Sequence, residues 1–154
     1  MDFIFEVMPN NRKYLIKVLE ENSLEDLNKI PKGFNNNIIW NIAHIVVSQQ
    51  VLVYKLSGLP TMINDELIEK YKKGTKPEGP VTQKEVDEIK SLILPPVFKT
   101  KEDYNNGIFK QFHEYTVQTT GNSLKNVDDA LKFNLLHEGL HTGYIMSLLR
   151  AIKI

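Results

Sequence analysis

Two of the four histidines in this 154-residue sequence are spaced so that they can bind one metal ion. His137 and His141 are four residues apart in a predicted helix, which places their Cβ atoms on one face about 6 Å apart. That face also carries Phe133, Tyr144 and Leu148, so we expect both imidazoles to project into the apolar interior. Unpartnered imidazoles there would each carry a desolvation cost, which a shared metal removes. Two alternatives remain open, namely surface histidines and neutral core histidines bonded to backbone carbonyls.

The third candidate ligand is His44, which lies in a strongly apolar segment between Ala43 and Ile45. A polar side chain buried in such a helix needs a partner, and helical bundles build metal sites from side chains on facing helices. The remaining histidine, His113, follows Phe112 and lies beside Gln111 and Glu114, and we interpret it as a half-exposed helix histidine. The sequence thus predicts a divalent transition metal held by His44 and the histidine pair, and it assigns no catalytic residue.

Residues 137–141 also match the H-E-x-x-H pattern of zinc peptidases, in which Glu138 would be the general base. Those enzymes recruit a third ligand downstream, and no His, Asp, Glu or Cys follows His141. The extended pattern with a glycine and a third histidine is absent as well. We therefore reject peptidase activity and expect Glu138 to be either a carboxylate that supports the metal ligands or a surface residue.

Helical periodicity predicts the elements that position these residues. The first long helix covers residues 3–21, where Pro9 marks either its start or a kink. A short helix follows from Leu24, with Ser23 as its N-cap. The second long helix covers residues 38–56, begins after a run of three asparagines and is expected to be the most deeply buried.

The connection after the second helix is long and is broken repeatedly by glycine and proline. Two short helices are predicted within it, at 65–72 and at 82–92, the latter with a capping box formed by Thr82 and Glu85. The third long helix is predicted at 101–119, and the fourth from Val127 to the C-terminus. The expected fold is all-α: a single domain, 1–154, forming a four-helix bundle with a long crossover between helices 2 and 3, which then run parallel.

The composition excludes several classes of function. Basic and acidic residues number 19 each and are interspersed, so we expect neither nucleic-acid binding nor a membrane-surface patch. No apolar stretch approaches the length of a membrane span, and the N-terminus does not have the pattern of a signal peptide. Cysteine is absent, which excludes disulfides and thiolate ligands. We expect a cytoplasmic protein.

Two motifs resemble those of the DinB-like family of metal-binding helical bundles. They are W-N-I-A-H at 40–44 and H-E-G-L-H-T-G-Y-I at 137–145. Tyr144 stands where the family usually has glutamine. The resemblance implies zinc or nickel bound by His44, His137 and His141, often in a homodimer. It also implies a relationship to enzymes that transfer low-molecular-weight thiols and to thiol-dependent isomerases.

Three imidazoles leave a fourth metal position open, which is typical of catalytic sites. The leading hypothesis is a metal-dependent transferase of a small thiol, or a related hydrolase, acting on a small-molecule substrate. Gln49, Tyr54 and Tyr144 are candidates for the mouth of the site, although a packing role is the more frequent one for such residues. The rivals are a non-catalytic, stress-associated metal-binding protein and a dimerising scaffold whose site has decayed. Imidazole ligation further predicts loss of the metal below roughly pH 6.

Overall fold

The structure, a computed structural model, describes residues 1–153 and is mostly helical. Three long helices dominate it: α1 (Asp2–Glu21), α3 (Ile38–Gln49) and α7 (Val127–Ala151). Helix α7 packs against both α1 and α3, and the largest apolar core lies between these three helices. Within the described residues, no helix is both long enough and apolar enough to cross a membrane.

Helix α1 begins at Asp2 and continues through Pro9, so this proline does not mark its start. The short helix α2 (Leu24–Asn28) follows, and the hydroxyl of Ser23 accepts a hydrogen bond from the backbone of Asp26. This contact confirms the predicted N-cap, because an N-cap side chain satisfies one of the free amide groups at the start of a helix.

Helix α3 begins at the predicted place, where the side chain of Asn37 accepts the backbone amide of Trp40. All but one of its residues are buried, which confirms the expectation for the second long helix. From Gln50–Lys55 the helix continues as a π-helix. The extra residue per turn changes the phase of the side chains that follow, and this widening has no signature in the sequence.

The long connection contains α4 (Asp65–Tyr71) and α5 (Gln83–Ser91), as predicted. The hydroxyl of Thr82 accepts the amide of Glu85, which confirms the cap of α5. Both short helices pack against α3 and close one side of the core.

The prediction of a third long helix at 101–119 is wrong. Helix α6 instead spans Pro95–Asn105, with its two prolines in the first turn, where the missing amide donors cost no hydrogen bond. The helix ends before Gly107, which has a positive φ of 63°. The chain then runs irregularly into a two-residue antiparallel hairpin, β1 (Tyr115–Thr116) and β2 (Ser123–Leu124). Apolar residues at helical spacing therefore pack here from an irregular chain, which periodicity alone cannot distinguish from a helix.

Candidate metal centre

His44, His137 and His141 come together, as the sequence predicted. One ring nitrogen of each lies within 4.8 Å of one ring nitrogen of each of the others. The ring centroids are 5.1 Å apart for His44 and His137, and 4.7 Å for His44 and His141. The two histidines of α7 are 4.5 Å apart. Modest side-chain rotations can bring three nitrogens at these separations to about 2 Å from one ion.

The packing of α3 against α7 creates this arrangement. His44 lies in the second turn of α3, and the α7 histidines are one turn apart on the side of α7 that faces it. Since the first turn of α3 is fixed by the Asn37 cap, the direction of His44 follows from a short, well-defined stretch of helix. Two of the three ligands are thus placed by local helix geometry, and the third is placed by the packing of two helices.

Hydrogen bonds fix the ring orientation of two histidines. Nδ1 of His44 lies 2.6 Å from the carbonyl oxygen of Tyr71. A carbonyl oxygen can only accept, so in the neutral ring Nδ1 carries the proton and Nε2 keeps its lone pair. Ser48 Oγ lies 3.3 Å from that Nε2. A hydrogen bond from Nδ1, like the one to Tyr71, is the usual way in which a protein orients a histidine so that Nε2 can bind a metal.

Asn41 orients His141 in the same way. Its Oδ1 lies 2.8 Å from Nδ1 of His141. The amide nitrogen of Asn41 donates to the side chain of Asn36 and to the carbonyl of Asn37. Because these acceptors determine which end of the amide is nitrogen, Oδ1 must face the histidine and accept its proton. Nε2 of His141 is then free to bind a metal.

His137 has no comparable partner. Its Nδ1 is buried and forms no hydrogen bond. Native proteins rarely leave a buried polar atom unsatisfied, because the loss of solvation is not compensated. A metal ion shared with the other two histidines would give this imidazole a partner, so the three residues fit the group that the spacing predicts.

The three histidines lie at the border of the core, which corrects the expectation that the α7 pair projects into the interior. His44 is 5% exposed, but His137 and His141 are half-buried, and Tyr144 beside them is exposed. The α7 face that is truly buried lies farther around the helix, where Glu138 packs. A site at this border can exchange ligands with solvent.

Burial keeps the three imidazoles neutral. Desolvation lowers the pKa of His44, although its hydrogen bond to Tyr71 opposes the shift. Desolvation also lowers the pKa of His137 to about 3, assisted by repulsion from His141, His44 and Arg12. The pKa of His141 falls to about 4 for the same reason, with repulsion from His44 as the second cause. Neutral imidazoles near pH 7 are the form that binds metals.

Comparison with known protein families identifies the family of the chain. The model of the DinB superfamily matches residues 10–145, a range that contains all three histidines. The chain belongs to the DinB superfamily. No curated protein matches the sequence at a significant level. Membership agrees with the resemblance of the two histidine-containing motifs to those of the family. It does not by itself identify a reaction.

Aromatic rings border the histidines of this DinB-superfamily chain. Trp40 stacks on His44, with ring centroids 4.7 Å apart and planes 11° from parallel. Phe133 lies beside His137 at 6.2 Å. Stacking restricts the rotation of His44 and keeps water from one face of its ring. The site thus has apolar sides and an edge open to solvent.

Glu138 is neither a surface residue nor an available base. Its side chain is fully buried and forms a salt bridge with Arg12, with Nη2 2.6 Å from Oε1 and Nε 3.1 Å from Oε2. Asn11 and Asn134 donate to the same carboxylate. A carboxylate that accepts four hydrogen bonds and faces a guanidinium has no free lone pair aimed at a water molecule. This arrangement agrees with the rejection of peptidase activity.

Two of the proposed mouth residues lie elsewhere. Gln49 is fully buried, accepts from Arg12 and donates to Thr100. The hydroxyl of Tyr54 is bonded to Asp103, and burial raises the pKa of Tyr54 above its ordinary value. Tyr144 lies on α7, one turn beyond His141, whereas the polar groups of Gln49 and Tyr54 are engaged in these hydrogen bonds.

Arg12 is the residue that sequence reasoning missed. It is one of only two arginines among 19 basic residues. Arginine is preferred over lysine for buried ion pairs because its planar fork satisfies a carboxylate with two bonds. The rarity of arginine was therefore a usable signal, but nothing in the sequence pairs Arg12 with a residue 126 positions away.

His113 is exposed and is not part of the cluster. It lies in the irregular segment before β1, so the expectation of a helix histidine is wrong. Its backbone amide donates to the carbonyl of Leu56, which attaches this segment to the end of the π-helix.

Proposed function

We propose that this protein binds one divalent transition metal, zinc or nickel, through His44, His137 and His141 with one position open. The observation that carries the proposal is the convergence of three neutral imidazole rings. In two of them, His44 and His141, Nδ1 already forms a hydrogen bond. A fourth protein ligand is absent from this cluster among residues 1–153. Three protein ligands with an open position are typical of catalytic sites, whereas structural sites are closed.

The charge of the site indicates the kind of molecule that would bind there. Three neutral ligands leave the full charge of a divalent ion uncompensated, so an anionic fourth ligand is favoured. The bound metal would supply a lowered pKa to a coordinated thiol or water, giving a nucleophile near neutral pH. Since the chain has no cysteine, a thiolate would arrive on the substrate.

The chain's own residues contribute orientation and exclusion of water. Asn41 and the carbonyl of Tyr71 hold protons away from the coordinating nitrogens. Trp40 and Phe133 shield the sides of the cluster. A fixed set of ligands in an apolar frame stabilises developing charge without the reorganisation that water would need.

A neighbouring cavity supports a small-molecule substrate. Its volume is about 330 Å³, and its lining includes Trp40, which stacks on His44, and Tyr71, whose carbonyl oxygen accepts from the His44 ring. Two lysines and three glutamates also line it, namely Lys70, Lys76, Glu66, Glu69 and Glu78. Cavities of this size accommodate ligands of a few hundred daltons, and charged side chains there would recognise polar groups of a substrate.

We infer that the reaction is transfer of a low-molecular-weight thiol, or a related hydrolysis. Superfamily membership and the open position support this inference. The alternative is a non-catalytic, stress-associated metal-binding protein, which the uniformly helical frame around the site also allows. A scaffold with a decayed site is disfavoured by the intact ligand set and its hydrogen-bonded rings.

The decisive experiment measures metal content first and reactivity second. Untagged protein is analysed by elemental analysis and then screened with small thiols and electrophilic acceptors. We expect one equivalent of metal, a loss of both metal and activity in His44→Ala, and no change in His113→Ala. Metal binding without thiol or water consumption, together with a large fall in melting temperature on chelation, would favour the non-catalytic alternative.

The remaining expectations also belong to the proposal. We propose a single-domain four-helix arrangement of α1, α3, α6 and α7, with residues 56–94 as the crossover. The proposed partner is a second copy of the chain, and no nucleic acid or membrane is expected to bind. Basic and acidic residues are equal in number and interspersed along the sequence, so they give no net electrostatic attraction to nucleic acid or to a membrane surface.

A further inference from the structure

Two polar side-chain atoms of α7 are buried without a partner. Neither Oδ1 of Asn134 nor Nδ1 of His137 forms a hydrogen bond with any residue that the structure describes. The first atom can only accept, and the second carries a proton in one tautomer of the neutral ring. Buried polar groups are rarely left unpaired, and residues three apart on a helix are neighbours. The two atoms are therefore complementary, as an acceptor and a donor about one turn apart.

The orientation of the Asn134 amide is fixed by the buried ion pair. Nδ2 of Asn134 donates to Oε1 of Glu138 at 2.9 Å. Since a carboxylate only accepts, the nitrogen end of the amide must face Glu138, and Oδ1 must face away from it. The same Oε1 accepts from Nη2 of Arg12 at 2.6 Å, and neither side chain of this pair is exposed to solvent. A carboxylate that is itself held in place therefore holds Asn134 in one orientation.

The ring of His137 lies back along α7 toward Asn134. Long side chains of an α-helix point toward its N-terminus and cover the residues three and four positions earlier. For His137 these residues are Asn134 and Phe133. The ring follows this rule, because its centroid is 6.2 Å from that of Phe133. Nδ1 is the ring nitrogen nearer the backbone, and rotation about the Cβ–Cγ bond, which is broad for histidine, can direct it to Asn134.

We propose that Asn134 is a positioning residue of the metal centre, whose Oδ1 accepts the Nδ1 proton of His137 when the ion binds. The inference rests on the proposed metal binding and deepens it. The ion occupies only one nitrogen of the ring, so the other still needs a partner. All three imidazoles then share one arrangement, in which Nδ1 donates to a protein oxygen, as it already does in His44 and His141, and Nε2 binds the ion.

The proposal gives the buried ion pair a second role. Glu138 holds Asn134, and Asn134 holds the ring of His137, so the contact of Arg12 with Glu138 extends to the metal centre. The glutamate that follows the first α7 histidine thus acts through a neighbouring amide, and not as a base. Supporting groups of this kind orient the ligands of a metal and raise its affinity.

Nitrogen-15 NMR of the zinc-loaded wild-type chain tests the tautomer directly. The chain has only four histidines, so the ring signals are few and can be assigned. We expect Nδ1 of His137 to carry a proton that exchanges slowly with water, and Nε2 to show the shift of a zinc-bound nitrogen. Zinc bound through Nδ1, or an Nδ1 proton that exchanges freely, would overturn this inference alone. A chain that binds no zinc by elemental analysis overturns the metal proposal and this inference together.

A pair of variants separates positioning from stability. Asn134→Leu is compared with Thr142→Val, because Thr142 is also buried on α7 and donates to Asn11, another donor to the Glu138 carboxylate. Both variants lose a hydrogen bond in the same buried cluster, so a merely structural effect would change both alike. We expect Asn134→Leu to weaken zinc binding about 10–100-fold, measured by competition with a chromophoric chelator, and Thr142→Val to leave the affinity unchanged.

Equal weakening in both variants, or wild-type affinity in Asn134→Leu, would overturn the positioning role. Urea unfolding with chelator present reports the stability of each variant apart from its zinc affinity. The NMR measurement uses the wild-type chain, so it decides the question even if Asn134→Leu does not fold.

Discussion

Removal of the charge of Glu138 should destabilise the fold strongly. In Glu138→Gln the guanidinium of Arg12 keeps its bonds to the carbonyl of Ile93 and to Gln49 but loses its counter-charge in a site with no solvent exposure on either side chain. A charge left unpaired in the interior costs about 3–5 kcal/mol. For a chain of this length that corresponds to a fall in melting temperature of roughly 6–20 °C.

The measurement is urea unfolding followed by circular dichroism, with chelator present so that metal binding does not contribute. A matched control is Glu21→Gln, because Glu21 pairs with Lys17 at the surface, where the two side chains are 62% and 65% exposed. We expect that control to change the unfolding free energy by less than about 1 kcal/mol.

A second comparison separates lost charge from lost shape. Replacing both partners, as in Arg12→Met with Glu138→Leu, removes the charge and the counter-charge together and should recover most of the stability, since paired apolar substitutes are often tolerated. The reasoning is refuted if Glu138→Gln loses less than about 1 kcal/mol, or if the double variant is less stable than the single one.

Three further predictions concern the histidine site. Asn41→Ala should weaken zinc binding roughly 10–100-fold by freeing the ring of His141, measured by competition with a chromophoric chelator; an unchanged affinity would contradict the orienting role. Without metal, stability should fall as the pH drops below about 6.5, because the unfolded chain then binds protons that His137 and His141, with pKa values lowered to about 3 and 4, do not. The slope contributed by each group approaches about 1.4 kcal/mol per pH unit, and urea unfolding at stepped pH should show a shallower dependence in His137→Ala. Bound metal should be released as the pH falls from 6 toward 4, which dialysis at each pH and elemental analysis of the retained protein would measure. A metal occupancy that is constant from pH 7 to 4 would contradict imidazole ligation.

Local signals in the sequence determined much of the helical frame and the candidate ligands. The starts of α2, α3 and α5 follow from N-cap side chains that accept a backbone amide three residues farther along the chain. The pairing of His137 with His141 follows from the helical repeat. These features depend on residues only a few positions apart, so they can be read without knowledge of the fold.

Tertiary structure decided what the sequence left undetermined. The apolar spacing of residues 107–119 suits a helix, yet α6 ends at Asn105 and the side chains pack from an irregular chain. Glu138 could have faced solvent or the metal, and only the packing of α1 against α7 places it on Arg12. The same packing fixes the rotation of α7, and with it the convergence of the α7 histidines on His44. Such pairings depend on the free energy of burying whole helix faces together, and no pattern confined to neighbouring residues contains that information.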